Sequence, residues 1–343
     1  MGLRFVVVAA FVAMALVPAY IAYDTGVLPG PSQASADVAP GSTVSRVTAL
    51  SWPADPLGLT ATETKVLWEQ RDRSAELAGL WSYDVRTGRT ERVLGRSSTG
   101  KSAGFPNAAG DLIVWAAWAG RRGAGPARIE AYDTASTRRW AAAEQGREPT
   151  AAGESVIWVE TDGDDPGRDV IRGSNSLTDE EYAIKTDGRV RDLAAGGSWA
   201  AWVSGGARKG EVWAGPYHDK TRYRLAGAGT AVAIDRDRVL WARAVGRHAS
   251  QIVSWDRRSS RATVLCKVTG AASALTLGGK YAAWITTGEA TGARAWVYDF
   301  TQRRAFRVAE GGRQASPVIV AVAVYWADDR GGQWELYRQT LRP

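Results

Sequence analysis

The sequence predicts an all-β fold, a seven-bladed β-propeller. Three observations predict it. A tryptophan that ends a short apolar run recurs about every 43 residues, these runs are continuous rather than alternating, and no segment after residue 40 has the spacing of an amphipathic helix. A period of about 40–45 residues with several short strands is typical of propeller blades. The repeated tryptophans are Trp68, Trp115, Trp158, Trp202, Trp241, Trp284 and Trp326.

The composition fits a large globular core. The chain has 343 residues, of which 45% are hydrophobic and 23% charged. Its 38 glycines suit many tight hairpins, and its 16 tryptophans suit the wide wedges between neighbouring sheets. The formal net charge is +7, carried mostly by arginine. Two explanations of this arginine excess stay open: GC-rich codon usage, or an anionic partner.

Each repeat contains four candidate strands. The run that ends on the tryptophan is the second strand, and its continuous apolar character predicts a strand covered on both faces. The third strand ends on an aromatic residue followed by aspartate in four repeats. This aspartate is expected to accept backbone N–H groups two residues later and so fix the hairpin to the fourth strand. The pairs are Tyr83-Asp84, Tyr132-Asp133, Trp255-Asp256 and Tyr298-Asp299.

The last repeat has room for a third strand but not for a fourth. An open arrangement of sheets would leave unpaired strand edges, which proteins avoid. We therefore expect an N-terminal strand to complete the last blade, and Thr43 to Leu50 is the candidate. Residues 51–64 could supply part of this strand instead. The propeller is accordingly predicted to span residues 43–343.

The N-terminal 23 residues are predicted to be an export signal or a membrane anchor. Phe5 to Tyr23 contains no charged residue, and this run is longer than a usual signal core, which favours an anchor as a hydrophobic helix. Ala34-Ser35-Ala36 offers a cleavage site and favours a signal peptide. Both alternatives place the body of the chain outside, because Arg4 precedes the run and Asp24 follows it. Residues 24–42 are predicted to be a flexible linker.

The repeat pattern resembles the TolB-like propellers of exported bacterial proteins. The resemblance rests on the apolar-Trp and aromatic-Asp pattern and on turns such as Arg86-Thr87-Gly88, and it covers about residues 43–343. The frequent Ser-Pro-Asp-Gly turn of that family is missing, although Ser316-Pro317 is similar to its start. The regular pairs of WD40 repeats are also missing. The resemblance implies a binding platform for proteins or glycans, and it implies that some relatives precede peptidase domains.

Groups for enzyme catalysis are scarce in the sequence. The two histidines, His218 and His248, fall in loops that should lie on opposite faces of a propeller. No nucleophile-elbow motif occurs in a strand–turn–helix context. A glycosidase that uses paired carboxylates stays open, since acidic residues are plentiful. We therefore expect no enzymatic activity and no cofactor.

Metal binding and thiol chemistry are not expected either. Two histidines are too few for a histidine-rich metal site. The loop Glu160–Asp169 could bind calcium through Asp162, Asp164 and Asp165, but a solvated hairpin tip is the favoured interpretation. The single cysteine, Cys266, precludes an intrachain disulfide and should be an inert thiol in an outer strand.

Basic residues cluster in three loops that join second to third strands. These loops contain no acidic residue and should lie at the mouth of a central channel. The candidate ligand-binding residues are Arg121, Arg122, Arg208, Lys209, Arg243 and Arg247. A basic mouth favours an anionic cell-envelope polymer or an acidic protein, and nucleic acid is not expected outside the cell.

The predicted function is therefore that of an exported, non-catalytic binding platform, secreted or anchored at the cell surface. The partner would be a protein or an anionic cell-envelope polymer. One alternative is a glycan-acting enzyme with its site at the mouth of the channel. Another is a structural component of an envelope assembly.

Overall fold

The structure is a computed structural model, and it describes residues 32–33, 43–50, 58–71, 77–94, 102–118, 126–206, 209–219, 221–288, 292–308, 312–330 and 332–341. The regular elements in these residues are all β-strands, which confirms the all-β class. The predicted N-terminal hydrophobic segment, residues 1–23, lies outside them. Within the described ranges there is no helix with the length and apolarity needed to cross a membrane.

The strands after residue 58 form seven successive units of antiparallel neighbours. Units 1 to 3 contain β3 (Thr60–Ala61), β4 (Lys65–Arg71), β5 (Leu77–Asp84), β6 (Thr90–Leu94), β7 (Ser102–Ala109), β8 (Leu112–Trp118), β9 (Ala127–Asp133), β10 (Arg139–Ala152), β11 (Ser155–Thr161), β12 (Asp169–Asn175) and β13 (Glu181–Lys185). Units 4 and 5 contain β14 (Val190–Gly196), β15 (Trp199–Gly206), β16 (Lys209–Pro216), β17 (Tyr223–Gly229), β18 (Ala231–Ile234), β19 (Arg238–Ala244), β20 (Ala249–Asp256) and β21 (Arg261–Thr269). Units 6 and 7 contain β22 (Ala271–Gly278), β23 (Tyr281–Thr287), β24 (Arg294–Asp299), β25 (Arg304–Arg307), β26 (Gln314–Val320), β27 (Ala323–Asp328) and β28 (Glu335–Thr340).

Two short N-terminal strands complete this arrangement. They are β1 (Ser32–Gln33) and β2 (Val44–Ala49). Strand β2 pairs antiparallel with β28, so that Val44 lies opposite Gln339 and Ala49 opposite Glu335. The N-terminal strand expected within Thr43–Leu50 is therefore the fourth strand of unit 7.

The repeated tryptophans lie in fully covered second strands. All seven residues of β8 are buried, as expected for a continuous apolar run between two layers. Trp241 is fully buried in a cluster that also contains Val203 and Val212 of unit 4. Trp284 packs against Leu240 of unit 5 in the same way. The tryptophans thus fill the spaces between adjacent units rather than the interior of one sheet.

The first strands of the units contact one another in an unbroken series. Strand β3 contacts β7, β7 contacts β10, β10 contacts β14, β14 contacts β18, β18 contacts β22, β22 contacts β26, and β26 contacts β3. The series returns to its starting strand, so every first strand has one neighbour on each side.

Units 2 and 3 share one long strand. The 14 residues of β10 pair first with β9 and then with β11, which joins the two units in a single seven-stranded sheet. The described strands therefore form six sheets, where the repeat alone predicts seven. The reason is local: the connection around Gly146 stays extended and bends by register shifts instead of leaving the sheet as a loop.

The units present two ends, which we call the loop face and the turn face. The loop face carries the loops from second to third strands and the connections from fourth to first strands. The turn face carries the tight turns from first to second and from third to fourth strands. On the turn face, Asp84 Oδ1 accepts the backbone N–H groups of Arg86 and Thr87, both at 2.9 Å. Asp299 Oδ1 accepts the N–H of Thr301 at 2.7 Å in the same way, which confirms the predicted role of these aspartates.

One pairing departs from the antiparallel pattern. Strand β1 runs parallel to the outer strand β21 of unit 5, with Ser32 opposite Cys266 and Gln33 opposite Lys267. Strand β21 begins at the turn face with Arg261 and ends at the loop face with Thr269. Strand β1 therefore also runs from the turn face towards the loop face.

Candidate functional site

The structure places the predicted basic residues only in part. Arg243 lies near the loop-face end of β19, where its Nε donates to Gln251 Oε1 at 2.8 Å. Arg247 is exposed in the following loop. Lys209 is the first residue of β16. Arg121, Arg122 and Arg208 lie outside the described residues, so the proposed basic mouth stays a prediction.

Two carboxyl groups occupy equivalent positions on neighbouring first strands. Glu148 on β10 and Asp192 on β14 each lie ten residues before the repeated tryptophan of their unit, Trp158 and Trp202. Both residues lie near the loop-face ends of strands that contact each other. Neither residue was predicted from the sequence as a site residue. The signal for the pair is readable in the repeat, because the same position in the other units carries no charged residue.

The surroundings of these carboxyl groups favour their protonated forms. The pKa of Asp192 is raised to about 7: burial is the main cause and the nearby Glu148 adds to the rise, while the backbone N–H groups of Val232 and Leu193 oppose it. The N–H of Val232 donates to Asp192 Oδ2 at 2.9 Å. Burial also raises the pKa of Glu148, against the opposing charge of Arg147. Perturbed carboxyl groups that act on each other are a recognised mark of functional sites.

A buried carboxylate holds the strands that carry this pair. Asp169, at the start of β12, is fully buried. It accepts hydrogen bonds from Arg147 and from the N–H of Val190, and it forms an ion pair with Arg189 at 3.2 Å. Arg147 also donates to the Val190 carbonyl at 2.7 Å. The network therefore ties β10, β12 and β14 together beside Glu148 and Asp192.

The acidic loop between β11 and β12 is paired with cations of the same chain. Lys185 Nζ lies 3.3 Å from Asp162 and 3.4 Å from Asp164. Asp165 pairs with Arg168 at 3.1 Å. Among the residues that the structure describes, no group of three or more histidine, cysteine, aspartate or glutamate side chains could hold a metal ion. These contacts favour the hairpin-tip interpretation over calcium.

The histidines and the cysteine occupy separate places. His218 is exposed on the turn face, with its ring 5.3 Å from the ring of Tyr217. His248 lies on the loop face, where its carbonyl accepts the N–H of Gly270 at 2.8 Å. Cys266 is buried in β21, and burial raises the pKa of its thiol to about 12. The thiol is therefore un-ionised at neutral pH.

The pKa of Asp192 predicts a pH-dependent stability. In the folded state this carboxyl keeps its proton up to about pH 7, whereas in the unfolded chain it loses the proton near pH 4. The folded state binds more protons in this interval, so its free energy of unfolding should fall as the pH rises from about 4 to about 7. We expect Asp192→Asn to make the free energy of unfolding fall less over this pH interval. Thermal unfolding of both proteins across the interval measures it, and parallel pH profiles would contradict the assignment.

The comparisons with known proteins support the fold. No family model and no curated protein sequence matches the chain. Among solved structures, an oligogalacturonate lyase in complex with manganese is similar, with a TM-score of 0.59, 13% identity, and coverage of 91% of this chain and 95% of that one. The β-propeller domain of the trilobed protease from Pyrococcus furiosus gives a TM-score of 0.63, 10% identity, and coverage of 85% and 95%. At these low sequence identities, the structural similarity shows a propeller fold and does not identify a function.

A TolB structure from Acinetobacter baumannii is also similar, with a TM-score of 0.48, 14% identity, and coverage of 81% of this chain and 80% of that one. That score is too low to support an argument about this chain. The resemblance to TolB-like proteins is therefore confirmed only at the level of the propeller fold.

The expectation that the chain is not an enzyme is contradicted by these comparisons. The similar structures include oligogalacturonate lyases and prolyl endopeptidases, which are enzymes. That expectation gave too much weight to the small number of histidines. Paired-carboxylate chemistry, which needs no histidine, had been left open, but no pair of residues had been named for it.

Proposed function

We propose that this chain is a closed seven-bladed β-propeller, carried outside the membrane, that binds an anionic glycan of the cell envelope at the loop-face mouth of its central channel. The unbroken series of first-strand contacts from β3 back to β3 supports the closed arrangement. The pairing of β2 with β28 supports closure by the N-terminal strand. In such a ring the first strands surround the channel.

The observation that carries the binding site is the carboxyl pair of Glu148 and Asp192. Asp192 with a pKa of about 7 is protonated in a large fraction of molecules at neutral pH. A protonated carboxyl donates a hydrogen bond and an ionised one accepts several, so the pair suits the hydroxyl groups of a sugar. Arg243 and Arg247, at the same end of unit 5, supply positive charge for acidic groups of the polymer.

The same pair supports a second candidate, a glycan-acting enzyme with its site at the channel mouth. Glycoside hydrolysis needs two carboxyl groups, one kept protonated as a general acid and one ionised as a base or nucleophile. The pKa of Asp192 is raised to about 7, which suits the acid; burial also raises the pKa of Glu148, but the charge of Arg147 opposes that rise and favours its ionised form. In this candidate, Asp192 donates the proton to the leaving oxygen and Glu148 is the ionised partner.

One experiment tests both candidates with defined variants. The purified chain is incubated with oligogalacturonate and with cell-envelope polysaccharide, and bound and cleaved polymer are measured separately. We expect Glu148→Gln with Asp192→Asn to weaken binding by roughly tenfold, as for the loss of one or two hydrogen bonds to charged groups. If the wild type cleaves the polymer, the double variant should lose cleavage by a much larger factor.

The basic residues are tested in the same assay. Replacing Arg121, Arg122, Arg208, Lys209, Arg243 and Arg247 by glutamine should weaken capture and its salt dependence while leaving the thermal midpoint unchanged. Asp165→Asn is the matched carboxyl control, since Asp165 is exposed and pairs with Arg168. Unchanged capture by both the carboxyl and the arginine variants would refute the site. Capture of a single protein in place of a polymer would show that the ligand is a protein.

A further inference from the structure

The turn face of units 5 and 6 carries a concentration of cations, which we call the basic turn patch. It comprises eight residues in four adjacent turns: Arg236, Arg238, Arg257, Arg258, Arg261, Lys280, Arg303 and Arg304. The same turns contain four aspartates. The patch therefore has an excess of positive charge that these carboxylates do not balance.

Most of the four aspartates are occupied by the turns themselves. Asp235 Oδ1 accepts the N–H of Asp237 at 2.8 Å and that of Arg238 at 2.7 Å. Asp256 Oδ1 accepts the N–H of Ser259 at 2.8 Å, and Asp299 accepts N–H groups in the same manner. Asp237 pairs with an arginine of the patch, Arg258, at 3.0 Å.

Aromatic rings fix the positions of two of the cations. The guanidinium of Arg238 lies 4.2 Å from the centroid of Phe300, and that of Arg257 lies 4.2 Å from the centroid of Trp199. Arg236, Arg258 and Arg261 are exposed around them. The patch thus contains two cations held in place by aromatic rings and three exposed cations around them.

Another part of the turn face, in unit 3, has the opposite charge. The turns of unit 3 contain Glu154, Asp179, Glu180 and Glu181, which are all exposed, and no lysine or arginine. A negatively charged surface would therefore attract units 5 and 6 of the turn face and repel unit 3. This asymmetry defines an orientation as well as an affinity.

Strand β1 starts from the turn-face side of unit 5, the side of the molecule that carries the basic turn patch. Because β1 is parallel to β21, its N-terminal end points to the turn face of unit 5, where Arg261 begins the patch. The apolar run Phe5 to Tyr23 precedes β1 in the chain. The chain therefore enters β1 from the turn-face side of unit 5, which carries the basic turn patch.

We propose that the basic turn patch rests on the anionic headgroups of the membrane to which the N-terminal segment is tethered. The inference depends on the tether outside the membrane that forms part of the proposed function. Juxtamembrane clusters of lysine and arginine are attracted to anionic lipid surfaces within a Debye length. With this orientation the turn face lies against the lipid, and the loop face with the channel mouth points away from it, open to a polymer.

The experiment measures how close each face of the protein lies to the lipid. The full chain with Cys266→Ala is reconstituted in vesicles of phosphatidylcholine alone or of an equal mixture with phosphatidylglycerol. A fluorophore is attached at Gln302→Cys on the turn face or at Thr287→Cys on the loop face, two exposed positions of unit 6. We expect headgroup-labelled lipid to quench the fluorophore several times more strongly at position 302 than at position 287. This difference should appear only in vesicles that contain phosphatidylglycerol, and it should decline as salt is added.

A charge variant and its control isolate the patch. Replacing Arg236, Arg258 and Arg261 by glutamine should abolish the difference between the two positions. Replacing Arg86, Arg89 and Arg138, which lie on the turn face of units 1 and 2, removes the same charge and should leave the difference in place. Equal effects of both triple variants would overturn the proposed patch.

The remaining outcomes separate the patch from the tether. A wild-type chain that fails to float with phosphatidylcholine vesicles contradicts the anchor, and the orientation falls with it. A chain that floats but shows equal quenching at both positions in both vesicles overturns the patch alone. Protection of position 302 by added envelope polysaccharide rather than by phosphatidylglycerol would assign the patch to a polymer and refute the lipid contact.

Discussion

Replacing Trp241 by alanine is expected to lower the free energy of unfolding by about 3–5 kcal/mol, because it removes a fully buried tryptophan side chain between units 4 and 5. Trp241 is fully buried and lies opposite Val232 and Val253 on the adjacent strands. The neighbouring strands are held by their own hydrogen bonds and cannot collapse into the vacated space. Denaturant and thermal unfolding of the variant measure the loss.

Two phenylalanine variants separate packing from hydrogen bonding. The indole N–H of Trp241 has no partner among the described residues. The indole N–H of Trp326 instead donates to the buried Asp328 at 3.2 Å. We therefore expect Trp241→Phe to cost less than Trp326→Phe by about 1 kcal/mol, since only the second change removes a hydrogen bond to a buried carboxylate, which keeps its bonds from Gln314 and Arg330. Equal losses would show that the indole groups contribute by volume alone.

Replacing Asp169 by alanine should lower the free energy of unfolding by about 3–5 kcal/mol. The change leaves the cations of Arg147 and Arg189 without their buried partner, and it leaves the N–H of Val190 without an acceptor. Since Arg147 also contacts the Val190 carbonyl, β10 and β14 should lose their fixed spacing. We expect ligand binding at Glu148 and Asp192 to weaken along with stability.

An exposed pair of the same loop provides the control for Asp169. Asp165 and Arg168 are about half exposed, so Asp165→Ala should change the free energy of unfolding by less than about 1 kcal/mol. The midpoints of urea unfolding of the two alanine variants give the comparison. A loss for Asp169→Ala as small as that for Asp165→Ala would mean that water replaces the buried contacts.

The repeat in the sequence predicted the strands far better than it predicted the site. A tryptophan at the end of an apolar run reports burial on both faces, and this signal depends on a few neighbouring residues only. The chemistry of Glu148 and Asp192 depends on two units 44 residues apart in the chain being neighbours. Their raised pKa values come from burial created by that packing. The sequence shows two acidic residues at equivalent positions of the repeat, but it does not show the burial around them.

The shared strand β10 was missed for a related reason. Its middle, around Glu144 to Gly146, is polar and contains glycine, which is the composition of a loop. Tertiary pairing with β9 and β11 keeps it extended. The expectation of no enzymatic activity rested on counts of residue types, which say nothing about where the side chains lie. Two carboxyl groups suffice for catalysis when the fold brings them together.

The pairing of β2 with β28 has a mechanical consequence. These strands are the only described ladder in which the beginning and the end of the blade sequence meet, and no peptide bond reinforces it. A pull on the chain ahead of β1 is resisted first by the two-residue pairing of β1 with β21, and then by the hydrogen bonds of the β2–β28 ladder in shear. The ladder of β2 and β28 would therefore also transmit to the blades any tension applied to the N-terminal segment.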